Sequence, residues 1–600
     1  MRTCIATVCL SGSLTEKLTA AARAGFDGVE IFENDLLASP LTPEEIRARC
    51  ADVGLTIDLY QPMRDVEALP EEEFARALRR ARHKFELMRR LGADTVLVCS
   101  SVHPRAVDDD ALAAGQLARL AGLAQDHGIR VAYEALAWGR HVSTYDHAWR
   151  IVQAAGHPAL GTCLDSFHIL SRGSDPKGIE DIPGEKIFFL QLADAPRLAM
   201  DVLQWSRHHR CFPGQGGFDV AGLVRHVLNT GYTGPLSLEV FNDVFRQADP
   251  GPTAVDGRRS LLILQEETGA VAPPAPVVPT GLAFAELVTP DPAPAAAVLG
   301  ALGFTRTARH RGKPVDLWEQ GDARILLNTG PAARRDGTRL AAIGLESPDP
   351  AGAARRAEAL LAPVLPRRRA PEDAPLEAVA APDGTELFFC ATGRAPELPD
   401  WRGDFTDIGP APRDTGIHGI DHLALTQPWH HFDEAALFHR AVLGLDAQES
   451  VDLADPYGLM RSRAVATPDG GVRLALTVGA APGDATVHAR HIALACDDVI
   501  AATRRFCAAG GRLLPVPANY HDDLAARFDL PEEDLAAYRD LGILYDRDPH
   551  GGEFRHCYTR TVGHVFFELV QRDGGYTGYG AANAPVRLAA QHTAGGLTDG

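Results

Sequence analysis

The chain is poor in positive charge. Its 600 residues carry 59 Lys and Arg against 79 Asp and Glu, a formal net charge of −20. That excludes a nucleic-acid or anionic-membrane surface as the main partner, because phosphate binding is chiefly a Lys/Arg effect. It does not exclude a small anionic substrate, which needs only a few local cations. The ten cysteines are scattered without a C-x-x-C pair, which removes the thiolate metal framework and the disulfide pattern of small secreted domains. No apolar run reaches the ~18–20 residues that span a bilayer. The opening "MRTCIATVCLSGSL" lacks the basic and long apolar regions of a signal peptide, so the cytoplasm is the expected compartment.

What is present is ordinary globular material, 45% hydrophobic and 23% charged, enough for sizeable cores without disulfide or metal staples. The clearest boundary is "VAPPAPVVPT" at 271–280, where four prolines in ten residues favour an extended, stiff connector. It divides a first domain, 1–268, from a second region by a linker at 269–280. The second region shows a weak duplication. "GLAFAELVTPDPAPAAAVLGALGF" (281–304) and "GIDHLALTQPWHHFDEAALFHRAVLGL" (419–445) share a β-run, a polar break, a helical run and an L-G-φ ending. Terminal strands recur in "DGTELFFC" and "VGHVFFELV". This predicts an α+β region of two βαβββ-repeat halves, 281–412 and 413–600, with the seam near "DTGIHG".

The first domain alternates short β-type runs with amphipathic helical stretches. The runs are "TCIATVC", "GVEIF", "LTIDLY", "DTVLVC", "RVAYEAL", "LGTCLDSF", "IFFLQLAD" and "PLSLEVF". Eight strands with intervening helices predict an α/β fold, a parallel (β/α)8 barrel of TIM type. In such a barrel the chemistry gathers at the C-terminal ends of the strands. Glu134 in "GIRVAYEAL" stands where burial should be deepest, and an ionised carboxylate there must be paired or bound to metal. Asp165 ends the sixth strand, Gln191 falls late in the seventh, and Glu239 late in the eighth. Three converging carboxylates repel strongly unless a cation sits among them. All-oxygen ligation points to Mg²⁺ or Mn²⁺.

These residues carry a resemblance. The first domain resembles the xylose-isomerase-like barrels, whose E…D…(H/Q)…E series this is, with Gln191 where many members have His. "CFPGQGGFDVAGLV" is similar to their P-G-x-G-x-x-D segment. Within that group, "YEALAWGRHV", "LDSFHIL" and "ARHKFELMRRLGA" resemble the 3-dehydroshikimate dehydratases. The resemblance implies a lyase converting 3-dehydroshikimate to protocatechuate in quinate and shikimate catabolism. His168, three residues after Asp165, suits a general base; the bland reading is a histidine hydrogen-bonded beside a ligand carboxylate. The substrate carboxylate calls for an Arg fork. Arg64 in "YQPMRDVE", and Ser206 with Arg210 in "WSRHHRCF", follow strands three and seven at the correct rim.

In the second region "GIDHLAL" places His422 on a strand, "HARHIALACDDV" places His491 on another, and "VFFELVQRDGG" places Glu568 on a third. Two imidazoles and a carboxylate make a facial metal set with open positions, suited to Mg²⁺ or Fe²⁺. The arrangement resembles the vicinal-oxygen-chelate proteins and, more closely, the 4-hydroxyphenylpyruvate dioxygenases. "ANYHDDLAARFDL", "LGILYDRDPHG" and "FFELVQRDGGYTGYG" carry that likeness. The chain departs from it at "GGEFRHCYTRT" and "GYGAANAPVRL". No matching His stands in "LAFAELV", so the first half is expected to hold no metal, and His430, His431 and His488 are read as surface. The whole is similar to dehydratases fused to a dioxygenase-like region. A sugar isomerase or epimerase on the barrel, an Fe(II) dioxygenase in the second region, and a non-catalytic ligand-binding second region remain as alternatives. Homo-oligomerisation is left open.

Overall fold

The structure is a computed structural model that describes residues 1–331, 337–366, 370–371, 373–391, 399–412, 415–479 and 489–596. It divides into two units, Met1–Pro273 and Pro274–Gly600. Among the described residues no helix is long and apolar enough to cross a membrane.

The first unit is a closed barrel of eight parallel strands in sequence order: β1 (Thr3–Ala6), β2 (Gly28–Phe32), β3 (Thr56–Met63), β4 (Thr95–Cys99), β5 (Arg130–Glu134), β6 (Leu160–Asp165), β7 (Ile187–Leu192) and β8 (Leu236–Leu238), which pairs with β1. The local sequence accounts for the helices between them. Ser13 with Glu16 and Thr42 with Glu45 form capping boxes, satisfying the free N–H groups that begin two helices. In Glu71–Leu91 three acids occupy the first turn and Arg89 and Arg90 the last, as the helix dipole favours. Its Phe74, Ala77, Ala81, Phe85 and Met88 recur at helical spacing and are buried. Gly92 ends it at φ +83°, a conformation that costs a side-chain-bearing residue energy.

The cysteines find their use here. Cys4, Cys99 and Cys163 pack with Leu59, Leu97, Ala132 and Phe189 inside the barrel, as small hydrophobes rather than ligands. The strand register then places the polar residues. Asp165 lies opposite Gln191, and Gln191 opposite Ser237.

The second unit holds two sheets. In the eight-stranded first sheet, Gly281–Val288 and Arg339–Glu346 pair antiparallel at the centre. In the second sheet, of nine strands, Ile417–Thr426 and Arg490–Cys496 do the same. The β-α-β pattern recurs within each half, as a strand, a helix and further strands on either side of that central pair. The seam falls before Ile417, and Arg413 and Asp414 of the expected boundary lie outside the described residues.

Candidate active site and metal centres

At the barrel rim Glu134 and Asp165 are the last residues of β5 and β6, and Glu239 directly follows β8. All three are buried. Arg210, 1% exposed, reaches between them. Its Nη1 donates to Asp165 Oδ2 at 2.8 Å and to Glu239 Oε2 at 3.1 Å. Nε and Nη2 donate to Ser206 Oγ at 3.1 and 2.8 Å. Arg210 and Ser206, expected at the substrate carboxylate, are therefore engaged with the acidic cluster and with each other.

The charges follow from this. Burial raises Glu134 well above the usual carboxylate range, and Asp165 and Glu239 add to it. Burial pushes Glu239 to about 7 against the pull of Arg210. Asp165 feels the same burial, but Arg210 and His168 hold it below its ordinary value. His168 Nδ1 accepts the Ala137 N–H at 3.2 Å, and its Nε2 lies 3.8 Å from Asp165 Oδ2. Burial lowers the imidazole to about 3, so it is neutral at neutral pH. Ligand atoms of Glu134, Asp165 and His168 lie within 4.8 Å of one another.

This set fits a divalent cation. Glu134 Oε1 is buried with no hydrogen-bond partner, and its Oε2 meets only the Cys99 thiol at 3.4 Å. A buried carboxylate oxygen without a donor, facing two further carboxylates, lacks a positive charge. Gln191 is held by its nitrogen, which donates to Glu30 Oε2 at 2.6 Å. Its oxygen meets only the Cys163 thiol at 3.4 Å, a weak donor that leaves the oxygen available. Glu30 went unnoticed in the sequence. It is fully buried in β2 and accepts from Gln61 at 2.7 Å, from Gln191 and from Ser237. The signal that singled out Glu134, an acid in the middle of an apolar run, is equally present in "GVEIF".

Arg64 is half-buried and lines the cavity with Trp138 and His168. Among the described residues no carboxylate lies within ion-pair distance of it, which leaves its guanidinium to the cavity. Arg207, also missed, stands at the same mouth, and burial together with Arg64 lowers its pKa.

In the second sheet Ala493 pairs with His422 on one side and Glu568 on the other. His491, two residues along the same strand, shares their face because side chains alternate with period two. The three ligand atoms converge. His422 Nε2 lies 3.2 Å from His491 Nε2 and 3.2 Å from Glu568 Oε2, and the latter two are 3.1 Å apart. Outer partners fix the set. Asp421 takes His422 Nδ1 at 2.7 Å and is itself paired with Arg572, at 2.7 and 2.8 Å. Asn583 Nδ2 lies 3.0 Å from His556 Nε2, while His556 Nδ1 faces Glu568 Oε1 at 2.7 Å. If Asn583 donates, the His556 proton sits on Nδ1 and is given to Glu568. Burial alone would raise Glu568, but its bonds to His422, His491 and His556 hold it well below the ordinary range. Two imidazole nitrogens and a carboxylate oxygen at such spacing, with Asp421 bracing His422 and His556 bracing Glu568 from behind, fit a divalent ion.

His556 lies in "GGEFRHCYTRT", the segment where the sequence departs from the dioxygenase pattern. In the first half His310, Asp373 and Asp404 also bring ligand atoms within 4.8 Å. Each already takes a backbone N–H, Gly312 to His310 Nδ1, Ala370 to Asp373 Oδ2 and Ala374 to Asp404. His430 and His431, expected at the surface, are half-buried, and His431 pairs with Glu434. His488 lies outside the described residues.

A (β/α)8 barrel with an acidic rim, joined to a region carrying a His-His-Glu facial triad, defines a two-part protein of the barrel and vicinal-oxygen-chelate classes. Residues 18–263 match the xylose isomerase-like TIM barrel family. Residues 274–362 match the N-terminal part of hydroxyphenylpyruvate dioxygenase, and 419–554 the glyoxalase/bleomycin resistance protein/dioxygenase superfamily. The chain is 45% identical to a 3-dehydroshikimate dehydratase of Pseudomonas putida, with 98% of each chain covered. Identity to a Pseudomonas aeruginosa protein of the same name is also 45%, again over 98% of each. A solved xylose isomerase-like TIM barrel/4-hydroxyphenylpyruvate dioxygenase fusion protein superposes with TM-score 0.89 at 43% identity, covering 99% of both chains. The chain belongs to this family of fused 3-dehydroshikimate dehydratases.

Proposed function

We propose that the barrel is a hydro-lyase that removes water from 3-dehydroshikimate to give protocatechuate. The observation that carries this reading is the rim itself: an acidic cluster with an unpartnered Glu134 oxygen, a neutral His168 beside it, and an unpaired Arg64 at the mouth. Glu134, Asp165, Gln191 and Glu239 hold a divalent cation, for which all-oxygen ligation favours Mg²⁺ or Mn²⁺. When bound, that ion polarises the ketone and acidifies the adjacent C–H.

Arg64 takes the substrate carboxylate, because it lines the cavity beside His168 and, like Arg207 at the mouth, has no internal anion among the described residues. Trp138, whose ring meets His168 edge-on at a centroid distance of 5.0 Å, walls the ring of the substrate and keeps bulk water from the base. His168 is held neutral by burial, and its one lone pair, on the Nδ1 that accepts the Ala137 N–H, takes the C–H proton when substrate displaces that contact. The electrons released expel the β-hydroxyl, which leaves with a proton as water. A last proton leaves carbon as the former ketone oxygen gains one, which gives the aromatic ring, and net stoichiometry is one water per substrate. Arg210 and Ser206 act as positioning residues, setting the spacing of Asp165 and Glu239.

The test is direct. 3-Dehydroshikimate is added with Mg²⁺ or Mn²⁺, and the aromatic ultraviolet absorption of protocatechuate is followed with and without EDTA. Product should form only with metal. His168→Gln should abolish turnover while metal content stays at the parent level; near-parent turnover removes His168 as the base. No aromatic product from the metal-loaded parent overturns the reading.

A further inference from the structure

A second cavity opens onto His422 and His491 in the second unit, partly walled by Arg587 of the helix Ala584–Gly596. Arg587 is half-buried there. Its guanidinium lies over the rings of Tyr558 and Phe566, at 5.7 and 5.6 Å, and Nη1 donates to the neutral Gln591 at 2.8 Å. Among the described residues no carboxylate stands within ion-pair distance of it. The other polar groups of the wall, including Ser462, Thr477 and Tyr558, are uncharged. Arg572, by contrast, is engaged by Asp421 through Nε and Nη2 and by the Tyr576 and Gly578 carbonyls through Nη1. The chain thus keeps one guanidinium in a cavity beside a metal-ligand triad and gives it no anion.

The charge count selects the ligand. A dication, one carboxylate ligand and Arg587 leave the cavity with a clear positive excess, so a ligand with two anionic groups is favoured. An arylpyruvate uses its only carboxylate in the chelate and leaves Arg587 unpaired. A ring with two adjacent oxygens at one end and a carboxylate at the other satisfies both. The Phe566 ring spaces the two poles: its centroid is 4.9 Å from that of His491 and 5.6 Å from the guanidinium.

We propose that the second unit binds a carboxylate-bearing ring with vicinal oxygens, the chemical class of the barrel's own product, and that Arg587 is the residue that takes its carboxylate. The class of ligand rests on the barrel reading above, while the role of Arg587 rests on the second cavity alone. The second unit is then a site for the product of the first, rather than for an arylpyruvate.

The experiment uses the full chain loaded with Mn²⁺ and carrying Glu134→Gln. Glutamine keeps the shape of the Glu134 side chain and removes one carboxylate ligand from the barrel rim, weakening the barrel's hold on metal and ligand while the second unit is untouched. Calorimetric titration with protocatechuate should show a binding event that Arg587→Met weakens tenfold or more, that Arg587→Lys partly retains, and that His491→Ala removes. Catechol, which has the same two oxygens and no carboxylate, should bind the parent and Arg587→Met alike. The proposal is overturned by an isotherm unchanged in Arg587→Met, by equal loss for catechol, or by no event traceable to the second unit. Production of protocatechuate by the barrel is assayed separately on the chain without the Glu134 substitution. A chain that binds protocatechuate through Arg587 but makes none sinks the barrel reading alone.

Discussion

Arg210→Met isolates the electrostatics of the barrel rim. The parent guanidinium is buried and bonds Asp165, Glu239 and Ser206. Methionine fills much of the same volume without charge, leaving buried carboxylates unneutralised. Removing one partner of a buried ion pair costs about 3–5 kcal/mol. Protonation limits that cost, because burial already pushes Glu239 up to about 7 with Arg210 present and loss of the guanidinium pushes it higher, leaving chiefly the charge of Asp165. For a domain of this size one kcal/mol corresponds to roughly 2–4 °C, so the metal-free variant should unfold on the order of 10 °C lower. A dication occupies the same carboxylates. Mn²⁺ should therefore raise the unfolding temperature of the variant more than that of the parent, and bind it more tightly, since no internal cation competes. Differential scanning calorimetry in EDTA and in Mn²⁺ reads both effects. If the variant in EDTA unfolds within about 2 °C of the parent, or Mn²⁺ shifts both equally, Arg210 is not what neutralises this cluster.

Three more outcomes follow from single groups. Arg64→Met deletes the proposed carboxylate clamp, and loss of a charge-assisted bond of about 1.5–3 kcal/mol should lower kcat/KM roughly 10- to 150-fold, mainly through KM; steady-state kinetics with unchanged KM would remove Arg64 from substrate binding. Glu67, buried with its Oε1 accepting from Ser101 N–H and from Tyr133 Oη at 3.1 Å, is pushed up to about 7 by burial. Between the ordinary carboxylate value and about 7 the folded chain keeps a proton that the unfolded chain has released, so this group weakens folding progressively as pH rises through that window. Glu67→Gln should stabilise the chain at pH 8 relative to pH 4 by up to about 3 kcal/mol compared with the parent, read from denaturant midpoints at the two pH values; parallel pH profiles would refute it. His556→Phe removes the group that braces Glu568 from behind, and should lower metal affinity of the second unit roughly 10- to 100-fold, measured by competition with a chelating dye, while dehydratase activity reports separately on the barrel.

Much was legible in the sequence because it is periodic. Eight apolar runs separated by amphipathic helices allow little besides a closed parallel barrel. A strand alternates faces every residue, so an acid at the end of such a run has to meet the acids of neighbouring runs. The same period put His422, His491 and Glu568 on one face of one sheet once their strands were recognised. The two departures from the family patterns, Gln191 and the "GGEFRHCYTRT" segment, each have a partner in the fold: Gln191 is anchored on Glu30, and His556 braces Glu568.

The partners of these residues were not legible, because they come from far along the chain. Glu30 meets Gln191 across 161 positions, Asp421 meets Arg572 across 151, and Arg210 reaches back 45 to Asp165. Hydrogen-bond register between strands fixes which side chains face one another, and closure of the barrel brings its first and last strands together; neither leaves a mark at a fixed spacing. The sequence by itself determined which atoms were available to hold a charge. Only the tertiary structure decided which charges answer one another, because electrostatic energy depends on distance through space and burial, and the chain's order specifies neither.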